Sequence, residues 1–184
     1  MEFYYILDCL TKYCIEHNLD CFQNPYAYEN LKMSNWTTEI DLDYRKEYFF
    51  NYVKNEPARK FASEVIHRLK QEGHKIYIIT SRAYSTIEDE AGQSMRKSIK
   101  EWLKKNDIIY DDIYFSADKI IQIKELNIDV MIEDSPTTIP TFVHCTHIFC
   151  YDCRYNRELE DRNLTRVFSW YDIYKNINKF CTKE

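Results

Sequence analysis

Two carboxylates stand side by side at Glu133-Asp134, directly after the apolar run Asp129-Val130-Met131-Ile132. Adjacent acids repel and lose hydration together unless a cation or a set of donors compensates them, and hard oxygen ligands of this kind suit Mg²⁺ with its retained waters. Another apolar run, Lys75-Ile76-Tyr77-Ile78-Ile79, ends in Thr80-Ser81-Arg82. A hydroxyl there can donate to a phosphoryl oxygen while a guanidinium offers a two-pronged fork. Between the two lies Lys119, whose ammonium can neutralise a phosphoryl group as a point charge. Each residue alone has a plainer use: Thr80 or Ser81 as a helix cap, Asp134 as the cap of a helix after Pro136, Lys119 as a solvated charge. Thr80, Lys119 and Glu133-Asp134 in that order, on successive strand-helix units, are far more specific than any one of them.

The elements that would position them can be read from apolar spacing. Phe3, Leu7, Leu10 and Cys14 mark one face of a helix over Glu2 to His17. From Asn18 to Asn55 the chain is aromatic and irregular, with Phe22, Tyr26, Tyr28, Trp36, Tyr44, Tyr48, Phe49, Phe50 and Tyr52, which predicts a small helical cap with an aromatic face. After Pro57, helix and strand alternate. Ala58, Ala62, Val65 and Leu69 line a helix that Gly73 ends in the left-handed conformation, and Lys75 to Thr80 is a strand. Then come a helix through Met95, Ile99, Trp102 and Leu103, a strand near Ile113 to Phe115, a helix through Ile120, Ile123 and Leu126, and a strand over Asp129 to Ile132. A short helix over Ile139 to Val143, strands at His147 to Tyr151 and Arg166 to Phe168, and a helix through Trp170, Ile173, Tyr174 and Ile177 complete the chain. The order predicts an α/β fold, a doubly wound parallel sheet, divided as a helix and cap over 1–55 and a core over 56–184. Such sheets place ligands at the carboxyl ends of their strands, where the polar residues above fall.

Composition narrows the function further. The only glycines are Gly73 and Gly92, which excludes a GxGxxG dinucleotide loop, a Walker P-loop and a GxSxG nucleophile elbow. A formal charge of −5 argues against a sequence-independent grip on nucleic acid. The basic run Arg96, Lys97, Lys100, Lys104 and Lys105 is the solvated face of the helix carrying Met95 and Ile99. No apolar run has the length of a membrane span and Met1-Glu2-Phe3-Tyr4 has no basic leader region, so a cytoplasmic protein is expected, without membrane contact and with its seven cysteines reduced. His144, Cys145, His147, Cys150 and Cys153 invite a zinc reading, but they fall on and around a strand whose side chains alternate faces, and core cysteines are expected.

In these stretches the chain resembles the haloacid dehalogenase superfamily, and within it the bacterial nucleotidases related to 5′(3′)-deoxyribonucleotidases. The resembling text is Asn55-Glu56-Pro57, Ile76 to Arg82, Trp102-Leu103, Asp118-Lys119, Asp129 to Pro136, Tyr151-Asp152 before Tyr155-Asn156, and Arg166-Val167 before Ser169-Trp170, nearly the whole chain. The resemblance implies a Mg²⁺-dependent phosphomonoester hydrolase in which Thr80 and Lys119 are catalytic phosphate holders and Glu133 and Asp134 are the metal carboxylates. It places Ser81, Arg82, Tyr155 and Asn156 at the substrate rim, with a nucleoside monophosphate or similar small phosphorylated substrate, and allows a homo-oligomer.

One departure follows from the same comparison. The family opens with an apolar strand ending in Asp-x-Asp, whose first Asp attacks phosphorus and whose second protonates the leaving group, and no such motif is spelled here. Asp8 does not substitute, because Leu10 stands where the second acid belongs, and Asp41-Leu42-Asp43 has no apolar strand before it and is expected at the cap surface. Roughly a dozen residues, one strand and its loop, are then expected to be missing ahead of Met1. That predicts no turnover from this form and a break in the sheet between the strands ending at Thr80 and Glu133. The alternatives are a non-catalytic phospholigand-binding or interaction protein, and a sugar-phosphate phosphatase on the same scaffold.

Overall fold

A computed structural model describes residues 3–24, 26–49, 54–82 and 84–181. Helix α1 spans Phe3–Glu16, followed by α2 (Asn30–Ser34), α3 (Thr38–Tyr44) and a π-helical turn at Arg45–Phe49. The core runs α4 (Ala62–Gln71), β1 (Tyr77–Thr80), α5 (Glu90–Lys105), β2 (Asp112–Phe115), α6 (Lys119–Glu125), β3 (Val130–Glu133), α7 (Ile139–Phe142), β4 (His147–Tyr151), β5 (Leu164–Val167) and α8 (Trp170–Cys181). Every strand pairing is parallel, in keeping with the α/β reading, but the strands form two sheets, β1-β2 and β3-β4-β5. Among the described residues β1 and β3 are not hydrogen-bonded to each other, and Phe3 to Asp8 is helix rather than a strand between them.

That break shows in the burial. β4, central in its sheet, buries Ile148, Phe149 and Cys150 almost completely, as a parallel strand covered on both faces should. β1 is only half-buried along its length, and Ile132 of β3 is 36% exposed. Strands with one unpaired edge keep apolar side chains partly in water.

The cap is held by aromatic rings. Tyr13 of α1 lies with ring centroids 5.4 Å from Trp36, 5.3 Å from Tyr44 and 5.7 Å from Tyr48, all near edge-on, a geometry that adds attraction beyond area burial. Leu10 and Cys14 of the same helix are buried beside them. The predicted start of this helix at Glu2, and the cap residues Phe50 and Tyr52, lie outside the described residues. The same cluster takes in Met33, Ala62, Ile66, Met95 and Ile99, so cap and core share one apolar interior.

Three expectations are corrected. Ala58 precedes its helix, because its N–H donates to Asn106 and the chain then turns at Lys60-Phe61, where Ala62 N–H bonds Arg59 O and Phe61 takes a left-handed φ of 66° before α4 begins. Asp41 is buried rather than at the surface, paired with Arg45 one turn later at 2.7 Å. The thiols are not all reduced: Cys14 and Cys21 form a disulfide that closes the turn after α1, with Cys9, Cys145, Cys150, Cys153 and Cys181 outside it. The glycines are used as backbone devices. Gly73 ends α4 at φ 92°, and Gly92 packs its backbone against Ile87 O where a Cβ would collide.

Cross-linking a loop this short removes unfolded-state freedom equivalent to about 2 kcal/mol. Thiol titration of the unfolded, unreduced chain should count five thiols, and dithiothreitol or Cys14→Ser should lower the unfolding free energy from urea titration by that amount. Seven titratable thiols would remove the bridge.

Candidate active site

The carboxyl ends of β1 and β3 open onto one cavity of about 370 Å³ whose walls include Ile78, Thr80, Arg82, Ile132, Glu133 and Asp134. Its floor is apolar because it lies between the two half-buried strand edges, and its rim is charged because the strands end there. Volume of this order suits a small ligand.

Glu133 ends β3 with its carboxylate 10% exposed, and its Oε2 accepts from Lys119 Nζ at 2.7 Å. Its Oε1 accepts the backbone N–H groups of Asp134 at 2.9 Å and Ser135 at 3.2 Å. Lys119 is delivered by the first turn of α6, whose cap Asp118 accepts from Ile120 N–H. Asp134 follows on the turn so formed. Its Oδ2 accepts from Tyr155 OH at 2.7 Å and lies 3.7 Å from Cys153 Sγ and 3.9 Å from Arg59 Nη2. Burial beside Asp134 pushes the Tyr155 pKa upward, so the phenol stays a donor. Among the described residues Oδ1 of Asp134 has no hydrogen-bond partner, and one open carboxylate oxygen beside an acid already engaged is a donor set that fits a cation keeping most of its own waters.

Thr80 Oγ1 accepts from Arg82 N–H at 3.2 Å, and the Arg82 guanidinium reaches the buried Glu56 at 3.4 Å. Thr80, Arg82, Glu133 and Asp134 thus share the cavity, and Lys119 joins them through Glu133. Ser81 is exposed and stands outside the cavity wall. Asn156 is 1% exposed and its amide is spent on protein: Nδ2 donates to Asp134 O and Tyr151 O, and Oδ1 accepts from Cys153 N–H and Arg166 Nη1. With these bonds it holds the turn under Asp134.

Spacing did not reveal Arg59, Tyr151, Cys153 and Glu56, which all meet this site. Glu56 and Tyr151 lay inside the resembling text without a role attached, and Arg59, two residues after Pro57, carries no local signal. Of the cap aromatics, Tyr28 reaches the site, its ring 5.0 Å from that of Tyr155. The cysteine and histidine cluster near β4 gathers no three ligands. Among the described residues such a group occurs only at the exposed His17, Asp43 and Glu47.

A profile of the family described as 5′ nucleotidase, deoxy (pyrimidine), cytosolic type C protein (NT5C) matches residues 11–183. A protein of Oceanobacillus iheyensis whose nucleotidase name is itself provisional is 27% identical over 131 residues, which cover 68% of this chain and 64% of that protein. A similarly named protein of Bacillus cereus is 27% identical over 125 residues, 65% of this chain and 60% of its own length. A protein named as a nucleotidase in Clostridium acetobutylicum is 22% identical over 155 residues, 83% of this chain and 76% of its length. The chain therefore spans less than two thirds of the first two relatives.

Removing one partner of a partly buried ion pair leaves the other charge short of both partner and water, at a cost of about 1–3 kcal/mol. Lys119→Met should lose that much in urea unfolding, and adding Glu133→Gln to it should recover most of the loss. Equal destabilisation by the double variant would show that the pair is not what matters. A second expectation concerns Cys150, whose thiol burial pushes up to about 11. Between the ordinary thiol value and that point the folded chain keeps a proton the unfolded chain has lost, so stability falls as pH rises through the window. Cys150→Ala should flatten part of that slope in pH-dependent urea titrations.

Proposed function

The chain belongs to the cytosolic type C 5′ nucleotidase family, and from that membership we propose that its cavity holds phosphomonoesters, nucleoside monophosphates by class, as the site of a Mg²⁺-dependent hydrolase. The observation that carries this reading is the meeting of Thr80, Arg82, Asp134 and the Lys119–Glu133 pair at the carboxyl ends of β1 and β3. Asp134, with Glu133 beside it, would hold the cation, whose chemistry there is to neutralise charge on the phosphoryl oxygens. Lys119 adds a point charge, Thr80 offers its hydroxyl, and Arg82 with Ser81 frames the entrance. Phosphoryl transfer asks mainly for such positioning and charge neutralisation. A cytoplasmic setting is part of the proposal, supported by the family's description, and the Cys14–Cys21 bridge is the feature that speaks against a reducing compartment.

Attack on phosphorus through an aspartyl-phosphate needs a carboxylate free to approach it. Among the described residues the acids of the cavity are Glu56, Glu133 and Asp134, engaged by Arg82, Lys119 and Tyr155, while Asp8 lies exposed on α1. We therefore propose that these 184 residues bind without turnover, and that an apolar strand ending in Asp-x-Asp, seated between β1 and β3, supplies the attacking acid. The same engaged acids favour the second reading, a phospholigand-binding protein that performs no hydrolysis.

Phosphate release from nucleoside monophosphates and sugar phosphates in Mg²⁺ tests both. No release is expected from the 184-residue chain. A form with the Asp-x-Asp strand joined ahead of Met1 should hydrolyse nucleoside monophosphates, lose this in EDTA, and fall about a hundredfold or more with Asp134→Asn. Release from sugar phosphates alone reassigns the substrate. An inert extended form that still binds phosphate leaves the binder.

A further inference from the structure

Arg59 is delivered to the cavity by a backbone fastened at two points. Ala58 N–H donates to Asn106 Oδ1 at 3.1 Å, and Trp102 Nε1 donates to the carbonyl of Glu56, so the approach to α4 is pinned against α5. From there the guanidinium stacks on the Tyr151 ring, 3.5 Å from its centroid, with the side chain only 18% exposed. It faces the same cavity as Thr80, Arg82 and Asp134.

Its polar contacts are long. Nη2 is 3.7 Å from Cys153 Sγ and 3.9 Å from Asp134 Oδ2, against about 2.8 Å for a formed guanidinium–carboxylate bond. Arg166 shows what a structural arginine looks like in this molecule. Its guanidinium bonds Asp152 Oδ1, Asn156 Oδ1 and the carbonyls of Asn156, Arg157 and Leu159, all between 2.9 and 3.2 Å. Arg96 likewise ties down Ser85 O and Ile87 O at 3.0 and 2.9 Å. A guanidinium with five donors, largely withdrawn from water beside the Tyr151 phenol and with contacts to sulfur and carboxylate this long, keeps donor capacity for an oxyanion that is not part of the chain. Tetrahedral oxyanions with two adjacent oxygens match its fork.

We propose that Arg59 is an anion-holding residue of this cavity, taking the phosphoryl group of a phosphomonoester in its fork without the help of a divalent cation. The inference rests on the reading of the cavity as a phosphate site and adds a residue that neither spacing nor resemblance pointed to. The guanidinium already stands beside Asp134, so it supplies locally the positive charge that a metal would otherwise have to bring.

The test is a calorimetric titration of the full chain with inorganic phosphate in EDTA. Binding is expected, weakened at least about tenfold by Arg59→Ala and less by Arg59→Lys, which keeps the charge but loses the fork. In the unmutated chain, phosphate should also protect Arg59 from phenylglyoxal, read by peptide mass, a measurement independent of how any variant folds. Binding by Arg59→Ala equal to that of the unmutated chain, absence of protection, or phosphate binding that appears only with Mg²⁺ would overturn the role of Arg59 while leaving the phosphate site standing. A chain that binds no phosphate with or without Mg²⁺ would instead overturn the site itself.

Discussion

The partly buried pair of Lys119 and Glu133 is the interaction on which the site depends. It fixes the first turn of α6 to the last residue of β3, and the second oxygen of the same carboxylate gathers the N–H groups of Asp134 and Ser135 into the turn that presents Asp134. One side chain thus determines where a cation and a second acid stand. Around it the charges are balanced pair by pair, at separations of 2.7 Å for Lys119 with Glu133, 3.4 Å for Arg82 with Glu56 and 3.9 Å for Arg59 with Asp134. Coulomb attraction in a poorly solvated site weakens with this distance, and the cost of opening a pair falls with it. On the proposed reading of the cavity, an anion would therefore meet least resistance at Arg59 and a cation at Asp134, while the Lys119 pair holds the frame.

The opposite wall is built without free charge. The turn after β4 is closed by Asn156, which bonds Asp134 O, Tyr151 O and Cys153 N–H together, and Arg166 from β5 locks that amide from behind. Every donor and acceptor of the Asn156 amide is used, which is what a side chain 1% exposed requires. Tyr155 is fixed by the same turn and aims its hydroxyl at Asp134, so the orientation of that carboxylate is set from β4 and β5 as well as from β3.

Much of this was legible in the sequence because it is carried by apolar spacing and strand ends. Thr80, Glu133 and Asp134 stand at strand ends that the alternation of helix and strand marks, and Lys119 opens a helix whose face Ile120 and Ile123 define. What spacing could not show are contacts made between distant segments. Arg59 reaches Tyr151 and Cys153 across more than ninety residues, and nothing local distinguishes it from Lys60. Asn156 looked like a rim residue because it lies on the right loop, whereas burial turned its amide inward. Asp41 looked exposed because acids on short helices usually are, and the Arg45 partner one turn away is what allows it inside. The Cys14–Cys21 bridge escaped for a similar reason, since pairing depends on how the chain turns after α1.

The break between β1 and β3 and the cavity have one cause. A continuous parallel sheet would bury Ile78 and Ile132 under a neighbouring strand, and the charged ends would form a rim above a closed core. Here the two edges stand apart, so the rim continues downward into an apolar cleft lined by Ile66, Ile78, Ile99 and Ile132. The halves are kept in relation by links that bypass the sheet: the Lys119–Glu133 pair on one side and, on the other, the approach to α4, pinned to α5 through Trp102 and Asn106 and stacked through Arg59 on the end of β4. Both links end at the rim, and each brings a cation there. The groups that tie the half-sheets together are thus also those to which the proposed phosphate role falls, and a ligand gripped by Arg59 and Lys119 at once would bridge the two half-sheets.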